Sequence, residues 1–470
     1  MMTGTESVLI IAIIFGFYAA WNIGANDVSN AMGTSVGSKA LTLRQAVCIA
    51  AIFEFAGAVF FGSNVSETLQ SGLVNPHVFA KDPYILVNGM LASLLASGIW
   101  LQVATYFGLP VSTTHAIVGA IVGFGAVVGG IDAVMWDNVA YIACSWIASP
   151  LLGGACSFLL FSLLRKRIFY SPTPFEATKK ALPWIVSAMI VVLSIISLWS
   201  VVSPSSSIVT RLSIVLLIAA IGGLLTHLFC KNYKMPLAVP TQIATVDPIL
   251  LESLDKAKKY LMRAKSASRG ELNFHLNDIV EEVDSCRTGV SQQTNIEYIN
   301  QEFYWVEKTF AVLQIVSACL MAFSHGANDV ANAMGPLAAI ISIVETGTTD
   351  FQHSFPTWIL AVGGVGIVIG LATWGWRVIE TIGKKITELT PSRGFSAEFG
   401  AALTVLLASR FGFPISTTHT LVGAVLGVGL AGGLGALNLR VLRDIIMAWL
   451  ITIPAGAILS ILCYYLISSF

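Results

Sequence analysis

Gly24-Ala25-Asn26-Asp27-Val28-Ser29-Asn30-Ala31-Met32-Gly33 returns 302 residues later as Gly326-Ala327-Asn328-Asp329-Val330-Ala331-Asn332-Ala333-Met334-Gly335. A second pair follows, in which Pro110-Val111-Ser112-Thr113-Thr114-His115 returns 304 residues on as Pro414-Ile415-Ser416-Thr417-Thr418-His419. The near-equal offsets mean that one long unit is duplicated, not one short motif. Each copy sets an aspartate, an asparagine and a run of hydroxyls inside otherwise apolar sequence. Polar and ionisable side chains at membrane depth are expensive, so a matched pair of such clusters marks a site.

Composition sets the class around these motifs. The chain is 55% hydrophobic and 11% charged, with a mean hydropathy of +0.78. Soluble domains carry about 25% charged residues, so this is an all-α polytopic membrane protein. A formal net charge of zero argues against nucleic acid as a partner. The seven cysteines, from Cys48 to Cys463, include no CxxC pair, which indicates neither a disulfide framework nor a zinc site. The first apolar run, Val8 to Ala20, lacks a basic leader and continues into the first motif; it reads as a membrane helix, not a cleaved signal.

Apolar runs fall near 8–36, 45–62, 84–130, 138–164, 183–201, 208–230, 309–344, 357–376, 395–435 and 444–468. Basic residues in short loops set orientation. Arg165, Lys166, Arg167, Lys179 and Lys180 crowd one loop, which is placed in the cytoplasm, and the polar segment 231–308, two helices later, is then cytoplasmic too. Counting outward puts Lys39, Arg44, Lys384, Lys385, Arg440 and Arg443 inside, and leaves 63–83 and 345–356, with Lys81 alone, outside. The count closes only if runs 84–130 and 395–435 each enter and leave on one face, broken near Pro110 and Pro414. The expected architecture is therefore two inverted-topology repeats, each with a re-entrant helical hairpin, and both termini extracellular. Many secondary transporters use this arrangement for alternating access. Residues 1–164 form the first repeat, 165–230 two linking membrane helices, 231–308 a cytoplasmic helical connector and 309–470 the second repeat. The connector holds 10 basic and 11 acidic residues, so it is no polybasic lipid patch. Its spaced Leu250, Leu251, Leu254 and Leu261 suggest short amphipathic helices.

Glycine followed by small and Asx residues lets a membrane helix unwind and free its carbonyls. With the Asn26 and Asn328 amide oxygens and the Asp27 and Asp329 carboxylates, those carbonyls form a hard oxygen set that suits sodium. The hydroxyl runs supply the opposite chemistry. Ser112, Thr113 and Thr114, and Ser416, Thr417 and Thr418, stand where a half-helix begins after a proline. Free amides and the positive helix end join the hydroxyls there as a cradle for a small tetrahedral oxyanion. Ordinary N-capping explains one hydroxyl per copy, not three. Carboxylates so near would repel a bare anion, and sodium bound alongside offsets that repulsion, which is a route to obligatory coupling.

Other intramembrane groups carry weaker signals. Glu54 and Glu398 are candidates for cation or proton coupling, although Leu94 stands where a duplicate of Glu398 would be. His115 and His419 are matched, and a hydrogen bond that orients each helix suits them better than proton relay. His325 faces Ile23 in the alignment of the two copies, which counts against a symmetric role. The nonduplicated Arg410 faces Tyr106. Trp146 with Pro150, and Trp449 with Pro454, extend the match beyond the hydroxyl runs.

On the Gly-Ala-Asn-Asp-Val-x-Asn-Ala and Pro-x-Ser-Thr-Thr-His blocks, each present twice, the chain resembles the inorganic phosphate transporter (PiT) family. The resemblance covers both repeats and breaks off in 231–308. It implies a sodium-coupled phosphate symporter of the plasma membrane, forming a homodimer, with sodium as coupling ion and no cofactor. Phosphate would lie between the hairpin tips on Ser112, Thr113, Thr114, Ser416, Thr417 and Thr418, with Asp27 and Asp329 beside it. Sodium would be held around Asn26, Asp27, Asn328 and Asp329. Proton-coupled bacterial members replace the first asparagine, and here both copies are intact. The rivals are a proton-coupled phosphate symporter or a sodium-coupled sulfate symporter on the same fold, and an anion channel. Phosphate keeps a proton near neutral pH that Asp27 or Asp329 can accept as a hydrogen bond; sulfate has none. A serine hydrolase is disfavoured, because Ser-Thr-Thr-His spacing alone makes no triad.

Overall fold

In this computed structural model the side chains of Thr42, Asp82, Ser112 and Ser416 each accept a free amide in the first turn of the helix that follows. Residues 4–201, 207–232, 248–268, 271–292, 297–351, 355–379, 389–433 and 439–469 are described; Lys384 and Lys385 lie outside them. The first half comprises α1 (Gly4–Gly37), α2 (Leu43–Phe61), α3 (Ser63–Ser71), α4 (Pro83–Tyr106), α5 (Thr113–Phe124) and α6 (Trp136–Leu164). Next come α7 (Pro174–Val201), α8 (Ile208–Asn232), α9 (Pro248–Ala267) and α10 (Glu271–Gln292). The second half comprises α11 (Glu297–Asp329), α12 (Ala331–Thr346), α13 (Thr357–Trp374), α14 (Pro391–Arg410), α15 (Thr417–Gly432) and α16 (Leu439–Ile467). Thr42 opens α2 in a reciprocal capping box with Gln45, and Asp82 caps α4 with Pro83 in its first turn.

Among the described residues, nine helical stretches are long and apolar enough to cross a membrane, from Thr5–Gly37 to Ile445–Ile467. The chain is thus an all-helical multi-span membrane protein. Helices α5 and α15 are apolar but too short to span. Each follows a tight chain reversal: α4 packs on α5 and α14 on α15. The turns place Gly108 at φ +65° and Gly412 at φ +72°, a region that only glycine occupies without strain.

Contacts elsewhere come in matched pairs. Helix α1 packs on α13 and α11 on α2, α1 on α4 and α11 on α14, α6 on α15 and α16 on α5. Glycine makes two of these contacts possible. A Cβ on Gly24 would lie 2.0 Å from the Ile367 carbonyl oxygen, and one on Gly326 2.0 Å from that of Glu54. This corrects the expectation that Gly-Ala-Asn-Asp unwinds its helix. Helix α1 runs unbroken through the motif, and only Val330 separates α11 from α12. The glycines are spent on letting a neighbouring backbone approach, so the intrahelical hydrogen bonds survive.

Helices α7 and α8 pack on one another. A small apolar cluster of Leu164, Ile168, Met189, Phe310 and Phe395 ties α7 to α6, α11 and α14. Helices α9 and α10 are polar and pair through Lys258–Asp284 and Arg287–Asp255, both at 2.6 Å, with Leu254 and Leu261 half-buried.

Candidate functional site

The duplicated motifs meet at one place. Helix α1 brings Asn26, Asp27 and Asn30, the α11–α12 junction brings Asn328, Asp329 and Asn332, and the first turns of α5 and α15 bring the hydroxyls. All twelve of these asparagines, aspartates, serines and threonines are buried, none more than 2% exposed.

Their hydrogen bonds run in matched pairs. Thr113 Oγ1 donates to Asp27 Oδ2 at 2.8 Å, and Thr417 Oγ1 to Asp329 Oδ2 at 2.7 Å. The second asparagine of each motif crosses to the other half. Asn30 Nδ2 donates to Thr418 Oγ1 at 2.8 Å, and Asn332 Nδ2 to Thr113 and Thr114 Oγ1 at 3.1 and 3.2 Å. The two helix starts touch directly: Thr114 Oγ1 donates to the Ile415 carbonyl at 2.9 Å and Thr418 Oγ1 to that of Val111 at 3.1 Å. Behind them, the His115 and His419 rings meet edge to face at 4.4 Å, His115 lies 4.0 Å from Trp146, and His419 stacks on Trp449 at 3.6 Å. Ring packing thus orients both histidines.

Two of the expected ligand types are otherwise engaged. Ser112 and Ser416 each accept the amide of the histidine three residues on, at 3.2 Å, and so cap α5 and α15. Asn26 clamps the first turn: its Nδ2 donates to Thr105 Oγ1 and the Leu109 carbonyl, and its Oδ1 accepts the Val111 amide at 3.2 Å. That bond uses one of the two lone pairs of Asn26 Oδ1 and leaves the other for a cation. Asn328 clamps the second turn through Ser409 and the Phe413 carbonyl, but its Oδ1 has no hydrogen-bond donor.

The oxygens of Asn30, Asn328, Asp329 and Asn332 that are left without donors are all Oδ1 atoms at this site. Buried acceptors without donors are costly. A set made only of carboxylate and amide oxygens suits a hard cation such as sodium.

His325 is the residue that the duplication hid. Its Nε2 lies 3.0 Å from Asp329 Oδ2 and 3.8 Å from Asp27 Oδ2, and its Nδ1 lies 3.3 Å from Glu54 Oε2. It joins both aspartates to a third carboxylate. Ligand atoms of Asp27, His325 and Asp329 fall within 4.8 Å of one another, a spacing that could hold a metal ion. Glu54 belongs to this centre because Gly326 lets α2 pack closely beside it. Glu398 does not. It accepts Ser35 Oγ at 2.6 Å, Ser317 Oγ at 2.8 Å, Gln314 Nε2 at 3.4 Å and the Thr34 hydroxyl, in a separate cage between α1, α11 and α14.

Asn30 and Asn332 were legible as duplicated residues four beyond Asn26 and Asn328. His325 had only its place next to Gly326 to mark it.

Comparison with known proteins gives the family. Residues 23–460 match the profile described as "Phosphate transporter family". A protein of Chlamydia muridarum named "Putative phosphate permease" is 44% identical over 98% of both chains. "Inorganic phosphate transporter 2-1, chloroplastic" of Arabidopsis thaliana is 44% identical over 97% of this chain and 72% of its own. A solved structure, "The sodium-dependent phosphate transporter", is 37% identical and superposes with a TM-score of 0.78, covering 99% of this chain and 100% of that one. A multi-span helical frame with two copies of one buried polar motif, matched along nearly its whole length, places the chain in the phosphate transporter family, as a membrane permease and not an enzyme.

Proposed function

We propose that the chain imports inorganic phosphate with sodium by alternating access about this midplane centre. Its two halves act as inverted-topology repeats, and the α4–α5 and α14–α15 pairs as re-entrant hairpins. It sits in the cytoplasmic membrane with both termini outside and α9–α10 inside; on the family resemblance it works as a homodimer.

One observation carries the reading: Thr113 and Thr417 donate their hydroxyl protons to Asp27 and Asp329. A hydroxyl has one proton to give, so a threonine bound to its aspartate cannot also donate to phosphate. Sodium on the carboxylates and the donor-free amide oxygens competes for those lone pairs and turns the hydroxyls outward. Phosphate then meets Thr113 and Thr417, joined by Thr114 and Thr418 once their bonds to the Ile415 and Val111 carbonyls open, at two positive helix ends opposite neutralised carboxylates. Sodium ligands in this reading are Asn26, Asp27, Asn328 and Asp329, with Asn30 and Asn332 added to those expected from sequence. Ser112 and Ser416 shape the cradle as caps. Glu54, through His325, adds negative charge that favours cations, and Glu398 braces α1 against α11.

Radiolabelled phosphate uptake into proteoliposomes tests the proposal. Uptake that requires an inward sodium gradient, saturates, and is blocked by arsenate but not sulfate is expected. Uptake driven by a proton gradient alone, at matched potential, removes the sodium assignment.

A further inference from the structure

A cavity of about 530 Å³ lies away from the duplicated motifs, where the end of α6 meets the start of α7. Its polar wall includes Arg167, Lys180, Ser171 and Thr173, and its apolar wall includes Leu163 and Trp184. Two neighbouring basic residues, Lys179 and Arg165, are already engaged. Lys179 pairs with Glu176 at 3.2 Å, and Arg165 donates to the Ala431 carbonyl and the Tyr170 hydroxyl. Among the described residues, no carboxylate lies within ion-pair distance of Arg167 or Lys180.

The cavity stands at a membrane boundary. The apolar stretches Trp136–Phe169 and Pro174–Ser194 close on it from either side, so the intervening turn sits where lipid gives way to water. Leu163 is 54% and Trp184 79% exposed, an apolar surface turned toward acyl chains, and tryptophan is enriched at that level of the bilayer. Two unpaired cations and two hydroxyl residues suit a phosphodiester. A free phosphate ion would satisfy the cations but leave the apolar wall uncovered.

We propose that this cavity binds one anionic glycerophospholipid, with its headgroup phosphate on Arg167 and Lys180 and an acyl chain along Leu163 and Trp184. Native mass spectrometry of the purified full-length protein tests this, using phosphatidylglycerol and phosphatidylcholine as probes. Preferential retention of phosphatidylglycerol is expected. Each basic side chain contributes about fivefold near a membrane surface, so Arg167→Gln should weaken retention about fivefold, and Arg167→Gln with Lys180→Gln about thirtyfold. Arg44→Gln with Lys81→Gln, which removes the same charge elsewhere, should retain lipid as the unmodified chain does. Equal retention of the two lipids, or unchanged retention in the double variant, overturns the proposal. Displacement of the lipid by inorganic phosphate does so as well, because the cavity would then be a site for the free ion. A double variant that changes oligomeric state while still retaining lipid assigns the cavity to a second copy of the chain, and also overturns it.

Discussion

At the scale of single residues, the three hydroxyls of each run have different work, and substitution should separate them. Ser112→Ala removes only a cap, at a cost of about 1 kcal/mol of stability. It should lower the thermal unfolding midpoint while phosphate uptake keeps its half-saturation value. Thr113→Val removes a proposed donor to the substrate and should raise the half-saturating phosphate concentration about 5- to 150-fold, by the 1–3 kcal/mol of a lost buried partner. Asp329→Asn removes a proposed charged ligand for the cation. The half-saturating sodium concentration should rise about 10- to 150-fold, from the 1.5–3 kcal/mol of a contact to a charged group. Equal effects of Ser112→Ala and Thr113→Val on phosphate half-saturation would undo this division of labour. The duplication in sequence made Asp27, Asp329 and the hydroxyls legible. It could not assign caps against ligands, because that depends on which amide lies three residues along and what stands opposite. His325 escaped for a clearer reason: it is used once, at the junction of two halves, and symmetry discards what is used once.

At the scale of elements, the glycines of the motif decide how closely helices meet. Gly24 lies against the Ile367 carbonyl and Gly326 against that of Glu54, so a methyl group at either position meets backbone and not a yielding side chain. Overpacking costs about 1–3 kcal/mol. Gly326→Ala should lower thermal stability by that amount and also weaken sodium activation, since it pushes Glu54 away from His325. Gly24→Ala should cost similar stability and affect sodium less, because Ile367 carries no charge there. A melting series in detergent, paired with sodium titrations of uptake, checks both. Helix positions followed well from apolar runs in the sequence. The two chain reversals also followed, from proline beside a polar run. The continuity of α1 did not, because glycine with Asx reads equally as a helix break or as a close contact. Only the partner helix decides between them, and it lies 343 residues along the chain from Gly24 and 272 from Gly326.

At the scale of the whole molecule, the proposal concerns orientation and coupling. Cys286 is exposed on α10, in the segment assigned to the cytoplasm. In a variant keeping only that cysteine, a membrane-impermeant maleimide should label it in right-side-out vesicles only after permeabilisation. Labelling of sealed vesicles would invert the topology. Each net positive charge carried inward gains about 2.3 kcal/mol per 100 mV of membrane potential, so sodium in excess of phosphate charge makes uptake sensitive to voltage as well as to the sodium gradient. The class of the molecule was legible from composition. The crossing of Asn30 and Asn332 into opposite halves was not, since no spacing within one copy reveals contact with the other. That crossing joins the two halves at the site where sodium and phosphate are proposed to meet. The most direct test is phosphate binding to the purified protein across a sodium titration. Phosphate affinity should rise with sodium, and sodium affinity should rise by the same factor with phosphate, as linkage requires; both effects should be lost in Asp27→Asn with Asp329→Asn. Phosphate affinity that stays constant from sodium-free to sodium-saturated conditions would contradict the coupled site.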